Sequence, residues 1–317
     1  MAFPIHLIPE IEMPNWNEVL SQINEEKLRL ATTSPLDVVR RKYLRELHDY
    51  TGRNVIAYYS AWLQRGPNTP NISINDSDKN ALMAMVHGLD RARGLDLILH
   101  TPGGSIGAAE SLVDYLRRMF GIDIRAIIPQ IAMSAGTMIA CACKEIVMGK
   151  QSNLGPIDPQ LNGMPATGVL REFEQAIDEI KADPARIALW QVIIGKYHPS
   201  FLHQCQTSID WSKTVVADWL QTGMFAGDRK KKSKATQIVQ GLTDVDSTKN
   251  HGRHIHIDKC RALNMRIVDL EADQNFQDLV LTVHHAFMQT LGEASQVTKI
   301  VENHNGVALI TNYNVKA

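Results

Sequence analysis

The sequence predicts an α/β fold in which parallel strands alternate with helices, and three observations carry that prediction. Short, nearly continuous apolar runs recur at residues 54–59, 95–99, 122–128 and 145–148, the pattern of strands buried on both faces. Between them lie stretches with apolar residues at helical spacing, closed by glycines such as Gly94 and Gly121. A β-α-β-α-β order implies parallel pairing through right-handed crossovers.

Taken in order, residues 15–50 read as helical, with a break at Thr32-Thr33-Ser34-Pro35 and with Leu36, Val39, Tyr43, Leu44 and Leu47 at helical spacing. The first strand, 54–59, is followed by a polar loop, 64–75. Asp76 or Ser77 is placed to cap the next helix, whose Leu82, Val86 and Leu89 share a face. The second strand runs into the turn His100-Thr101-Pro102-Gly103-Gly104-Ser105. A helix over 106–119 follows, with Leu112, Tyr115, Leu116 and Met119 as its apolar stripe. The third strand leads through Met133-Ser134-Ala135-Gly136 into the apolar helix Thr137-Met138-Ile139-Ala140-Cys141, and Glu145-Ile146-Val147-Met148 is a short fourth strand. Residues 168–221 are predominantly helical, interrupted at Asp183-Pro184 and at Gly195-Lys196-Tyr197-His198-Pro199. A basic loop over 223–234, a histidine-rich segment 250–256 and a helix over 275–291 complete the chain. The expected organisation is a helical arm (1–53), a catalytic core (54–222) and a C-terminal extension (223–317).

With 317 residues there is room for one large domain with appendages. A formal net charge of −1 argues against overall attraction to nucleic acid or membrane. Cys141, Cys143, Cys205 and Cys260 lack paired metal spacing and read as reduced core thiols. The start, Met1-Ala2-Phe3-Pro4-Ile5-His6, has no basic region, and Glu10 and Glu12 interrupt any apolar stretch. No run offers the roughly 18 apolar residues of a membrane span. The expectation is a soluble, cytoplasmic protein.

The chemistry concentrates at residues 100–136. Adjacent glycines at a strand end bring backbone N–H groups close to a substrate because no Cβ intervenes. A serine at a strand-to-helix junction is exposed by the turn and gains the positive end of the helix dipole. The alternative for Ser134 is a plain helix cap.

These segments, with Leu154-Gly155-Pro156-Ile157-Asp158-Pro159-Gln160, resemble the serine dehydrogenase proteinases of the Clp/crotonase fold, related to signal peptide peptidase A and more distantly to the Clp protease subunit. The resemblance is strongest over 55–210. It implies a spiral of β-β-α units with helical N- and C-terminal extensions, and an ATP-independent serine endopeptidase without cofactor. Ser134 would be its nucleophile, and the N–H groups of Gly103 and Ala135, with Gly104 beside them, its oxyanion and substrate-binding groups. It also implies peptide or unfolded-protein substrates and a homo-oligomer.

The base is open. Clp subunits use a histidine downstream of the serine, and that stretch here has none. Signal peptide peptidases use a lysine, and the similar run Gly195-Lys196-Tyr197-His198 offers His198 first and Lys196 second. Asp158 would orient an imidazole or hold its own turn. His251, His254 and His256 would line the substrate cleft or, less readily, hold a metal. Arg229-Lys230-Lys231-Lys232 reads as a solvated loop or a contact for an acidic partner. Because Gly-x-Gly-x-x-Gly is absent, nicotinamide binding is discounted. The rivals are a crotonase-type acyl-CoA enzyme and a catalytically silent scaffold.

Overall fold

The computed structural model describes residues 16–29, 34–66, 68–244 and 250–313. The first six residues, the Thr32-Thr33 part of the helix break and positions 245–249 lie outside it.

A seven-stranded sheet in the order β10-β5-β3-β2-β1-β11-β12 forms the centre. Strands β1 (Asn54–Ser60), β2 (Leu95–His100), β3 (Ile124–Ile128), β5 (Glu145–Met148) and β10 (Ile267–Asp269) pair in parallel. Every residue of β1 and β2 is buried, which is why they read as unbroken apolar runs rather than alternating ones. The expected parallel order of the first four long strands is therefore present.

The C-terminal strands β11 (Val297–Asn303) and β12 (Ala308–Asn312) correct the sequence expectation. They pair antiparallel with β1 and with each other, so the sheet is mixed. The described residues after 223 supply three strands of this sheet, β10, β11 and β12. The central sheet is therefore a mixed one with helices on both faces.

Alternate residues serve the two faces. Ile56, Tyr58, Leu97, Leu99, Ala126 and Ile128 pack beneath α3 (Asp78–Val86), α4 (Ile106–Phe120), α5 (Ala135–Ala142), α8 (Phe201–Thr222) and α9 (Lys231–Thr243). Val55, Ala57, Tyr59, Ile98 and Ile127 pack against α1 (Trp16–Arg29), α2 (Pro35–Thr51) and the helix Gln274–Glu293. Each of these large apolar side chains stabilises the fold by about 1.5–3 kcal/mol on burial. Val19, Ile23, Tyr43, Leu44 and Leu47 are buried in this way, so these apolar residues of α1 and α2 pack on the chain's own core.

Two local expectations also change. Ser77 makes no cap hydrogen bond; Asn75 Oδ1 instead accepts from Ser77 N–H at 3.0 Å. The basic run is not a loop throughout, since α9 begins at Lys231. There Lys234 pairs with Asp228 at 2.6 Å.

A second, smaller sheet joins β4 (Ile131–Ala132), β6 (Asn153–Leu154) and β9 (Ile255–His256). It extends the carboxyl ends of the central strands, where ligands of open α/β sheets bind. The opposite ends are fixed by charge: Arg53 and Arg125 grip the buried Asp96 at 2.7 and 2.6 Å. A small helical lobe stands beside the cleft, in which α6 (Ala166–Ala182) packs Ala166 and Val169 on Phe201, Cys205 and Ile209 of α8.

Candidate active site

Two strand-to-helix junctions meet at the carboxyl edge of the sheet. The first is the glycine turn after β2. Gly103 has φ +96° and Gly104 φ +154°, conformations that side-chain-bearing residues rarely adopt. Close approach adds a second constraint. A Cβ on Gly103 would lie 2.6 Å from Ser134 Cβ and 2.9 Å from Ala135 N, and one on Gly104 would lie 2.3 Å from Ile74 O.

Ile74, in the loop expected to be polar, holds this turn as a strand would. Its N–H donates to Gly103 O at 2.7 Å and its carbonyl accepts from Ser105 N–H at 3.0 Å. The N–H and C=O of Gly104 therefore project from the opposite edge, and Gly104 is exposed while Gly103 is buried. The Gly103 N–H donates to Thr101 Oγ1 at 3.1 Å.

The second junction carries Ser134, which has φ +50° and ψ −117°. A non-glycine residue held there stores about 1–3 kcal/mol of strain. Two serines that start helices make an instructive pair. Ser105 has φ −64° and its side chain caps α4 by accepting from Ala108 N–H. Ser134 makes no cap hydrogen bond at the start of α5, so its hydroxyl is not occupied with capping. Ala135 is the first helical residue, and its N–H has no intrahelical acceptor.

The two junctions wall a cleft of about 530 Å³ that includes Pro102, Gly103, Gly104, Ser134, Met138, Ile157, Trp211 and His251. His251 Nδ1 is 2.8 Å from Asp158 Oδ1, and Asp158 Oδ2 accepts from Gln160 Nε2 at 3.1 Å. Asp158 is buried and His251 half-buried. A carboxylate only accepts, so this contact puts the imidazole proton on Nδ1 and leaves Nε2 as a base.

The sequence candidates separate accordingly. Ser134, Gly103 and Gly104 all line the cleft, Ala135 adjoins it, and Asp158 supports it from behind. Lys196 and His198 lie outside it, exposed in the turn between α7 (Ile187–Ile194) and α8. The histidine at the cleft is His251, which the sequence offered as a residue lining it or holding a metal and not as the base. No local pattern links His251 to Asp158, 93 residues away. His254 and His256 are exposed, and among the described residues no group of three or more His, Cys, Asp or Glu stands ready to hold a metal ion. All four cysteines are buried free thiols, and burial pushes Cys143 and Cys260 up to about 12. Among the described residues no helix is long and apolar enough to cross a membrane.

Two proteins of Methanocaldococcus jannaschii are similar to this chain. Uncharacterized protein MJ0137 is 27% identical over 266 residues, covering 83% of each chain. Uncharacterized protein MJ1495 is 35% identical over 127 residues, covering 38% of this chain and 42% of its own. A family profile described as ClpP-like SDH-type serine proteinase matches residues 30–300, which span the whole cleft and both of its junctions. The chain belongs to the ClpP-like SDH-type serine proteinase family.

Proposed function

We propose that the protein hydrolyses peptide bonds through an acyl-enzyme on Ser134, with His251 as general base and Asp158 orienting it. The observation that carries this reading is the Asp158–His251 hydrogen bond at the edge of the cleft that holds an uncapped, strained serine. Ser134 Oγ attacks the carbonyl carbon while His251 Nε2 takes its proton. The negative charge passes to the carbonyl oxygen, where Ala135 N–H and an N–H of the Gly103–Gly104 turn stabilise it. His251 then returns the proton to the departing amine. Water, activated in the same way, releases the acyl group and restores the serine. Gly104, whose N–H faces outward, serves as the turn's donor as the chain stands; Gly103 would first have to leave Thr101. The succession β3–β4–α5 and β5–β6 supports a Clp/crotonase-like winding around this site.

The test is reaction with a fluorophosphonate probe and turnover of an unfolded-protein substrate. Ser134→Ala should abolish labelling, and His251→Ala should slow it by about 10²–10⁴-fold, while His198→Ala and Lys196→Ala stay near wild type. Loss of activity at Lys196→Ala with survival at His251→Ala would restore the Ser-Lys alternative.

The helical lobe supports self-association. Ile177 of α6 and Ile187, Leu189 and Val192 of α7 are about half or more exposed, from 49% to 65%, an apolar surface that monomers seldom leave open. Light scattering should give a closed oligomer at micromolar concentration, and a 35.4 kDa particle would refute it.

A further inference from the structure

Behind the glycine turn lies a buried ion pair that the reaction itself does not touch. Asp78 and Lys299 are 3% and 1% exposed at their side chains and bonded to each other. Asp78 Oδ2 also accepts from Tyr58 OH at 2.9 Å and from Asn75 N–H at 3.0 Å. Lys299 Nζ donates to Ser73 O at 3.2 Å, and Ser60 Oγ donates to Ile72 O at 2.6 Å. A segment with no secondary structure of its own, residues 72–75, is thus tied to β1, β11 and α3 at three of its four residues.

The remaining residue is Ile74, whose N–H and C=O hold Gly103 and Ser105 and whose backbone leaves no space for a Cβ on Gly104. Ser73 lines the cleft itself. The chain of contacts therefore runs from Lys299 and Asp78, through the 73–75 strap, to the backbone that faces the nucleophile. A hydrophobic pair of the same size would fill the space without burying charge, but it would leave Ser73 O, Asn75 N–H and the buried Tyr58 OH without their partner.

We propose that Asp78, Lys299 and Tyr58 are positioning residues: through the 73–75 strap they hold the glycine turn at the distance from Ser134 that stabilises the oxyanion. This rests on reading that turn as the oxyanion donor. It assigns the pair a role in rate, where a purely structural pair would affect only stability. Misplacing a donor by less than an ångström weakens transition-state contacts far more than ground-state binding.

The experiment follows the fluorophosphonate probe in variants of the full chain and separates the maximal labelling rate from the half-saturating concentration. In Asp78→Leu/Lys299→Met the maximal rate should fall about 10- to 100-fold, with half-saturation close to wild type and the chain still folded at the assay temperature. In Asp78→Asn/Lys299→Gln, which keeps neutral hydrogen-bonding groups, the rate should stay within about threefold. A wild-type rate in a folded apolar pair overturns the proposal. If the apolar pair does not fold, Tyr58→Phe decides: amide exchange at 73–75 and 103–105 should quicken and the rate should drop, and wild-type values of both overturn it. Ser134→Ala keeps the two readings apart. Labelling that survives it removes the peptidase reading, whereas labelling that it abolishes, with an unimpaired apolar pair, removes only the positioning role.

Discussion

The two halves of the candidate site are built in opposite ways. Gly103, Gly104, Ser134 and Ala135 come from two consecutive strand-to-helix junctions, and their positions follow from the backbone: positive φ angles, a 2.6 Å approach that excludes a Cβ, and the first free N–H of a helix. Asp158 and His251 lie 93 residues apart and meet only through side chains. Placing backbone donors requires a particular turn, and a turn is a local property of sequence. Relaying a proton requires only that two side-chain tips meet, and any segment folding over the cleft can supply one. The first half is therefore fixed by backbone geometry and readable, and the second is replaceable.

The sharpest way to break this division is Asp158→Asn. An amide side chain both donates and accepts, so His251 is no longer obliged to carry its proton on Nδ1, and Nε2 is no longer kept free. Turnover should fall by about 10³–10⁴-fold with the fold preserved by circular dichroism, the scale seen when a triad carboxylate is neutralised. A loss below tenfold would leave Asp158 as a turn former only.

In the local half the matching change is Gly103→Ala. The new methyl would meet Ser134 Cβ, Met133 O and Ala135 N, all within 3 Å, so the turn must withdraw and the proposed oxyanion pocket opens. Activity should drop about 10²–10³-fold, as for the loss of one oxyanion donor. Gly163→Ala is the control. Its φ of +77° is equally left-handed, but nothing lies within 4 Å of its missing Cβ. It should lose stability and keep activity. Equal losses of activity would mean that backbone strain, not the close approach, governs the turn.

Legibility in the sequence followed the same line. The four parallel strands, the helix stripe at Leu112 and Leu116 and the serine junction were readable because each expresses a short period or a turn. The hairpin of β11 and β12 was not: Lys299, Glu302 and Asn303 interrupt its apolar pattern while being fully buried in the structure, paired with groups such as Asp78 and Arg40 that are distant in sequence. The Asp158–His251 contact was missed for a related reason. It is set by the register of β6 against β9, where Asn153 faces His256, and no local pattern announces that pairing. The run Gly195-Lys196-Tyr197-His198, by contrast, is similar to a family pattern in sequence, yet its Lys196 and His198 are exposed on the helical lobe.

A smaller effect should distinguish the halves by acid. His100, the last residue of β2 before the glycine turn, is fully buried on the face opposite the cleft, its ring 5.4 Å from Tyr59 and 5.5 Å from His284. Neither ring nitrogen has a hydrogen-bond partner among the described residues, and burial lowers its pKa from 6.5 to about 4. Between those values the unfolded chain binds a proton that the folded chain refuses, so stability present above pH 6.5 is lost as the pH falls toward 4. For this one group the loss amounts to about 3 kcal/mol. His284, pushed the same way by burial and by the neighbouring His100, adds to it. Denaturant unfolding of wild type and His100→Gln between pH 7 and pH 4.5 measures the difference. The wild type should weaken more steeply, by up to one proton in slope, because glutamine does not titrate. Parallel curves would mean that the ring is hydrated and titrates normally, and that the acid sensitivity of the fold lies elsewhere than beneath the glycine turn.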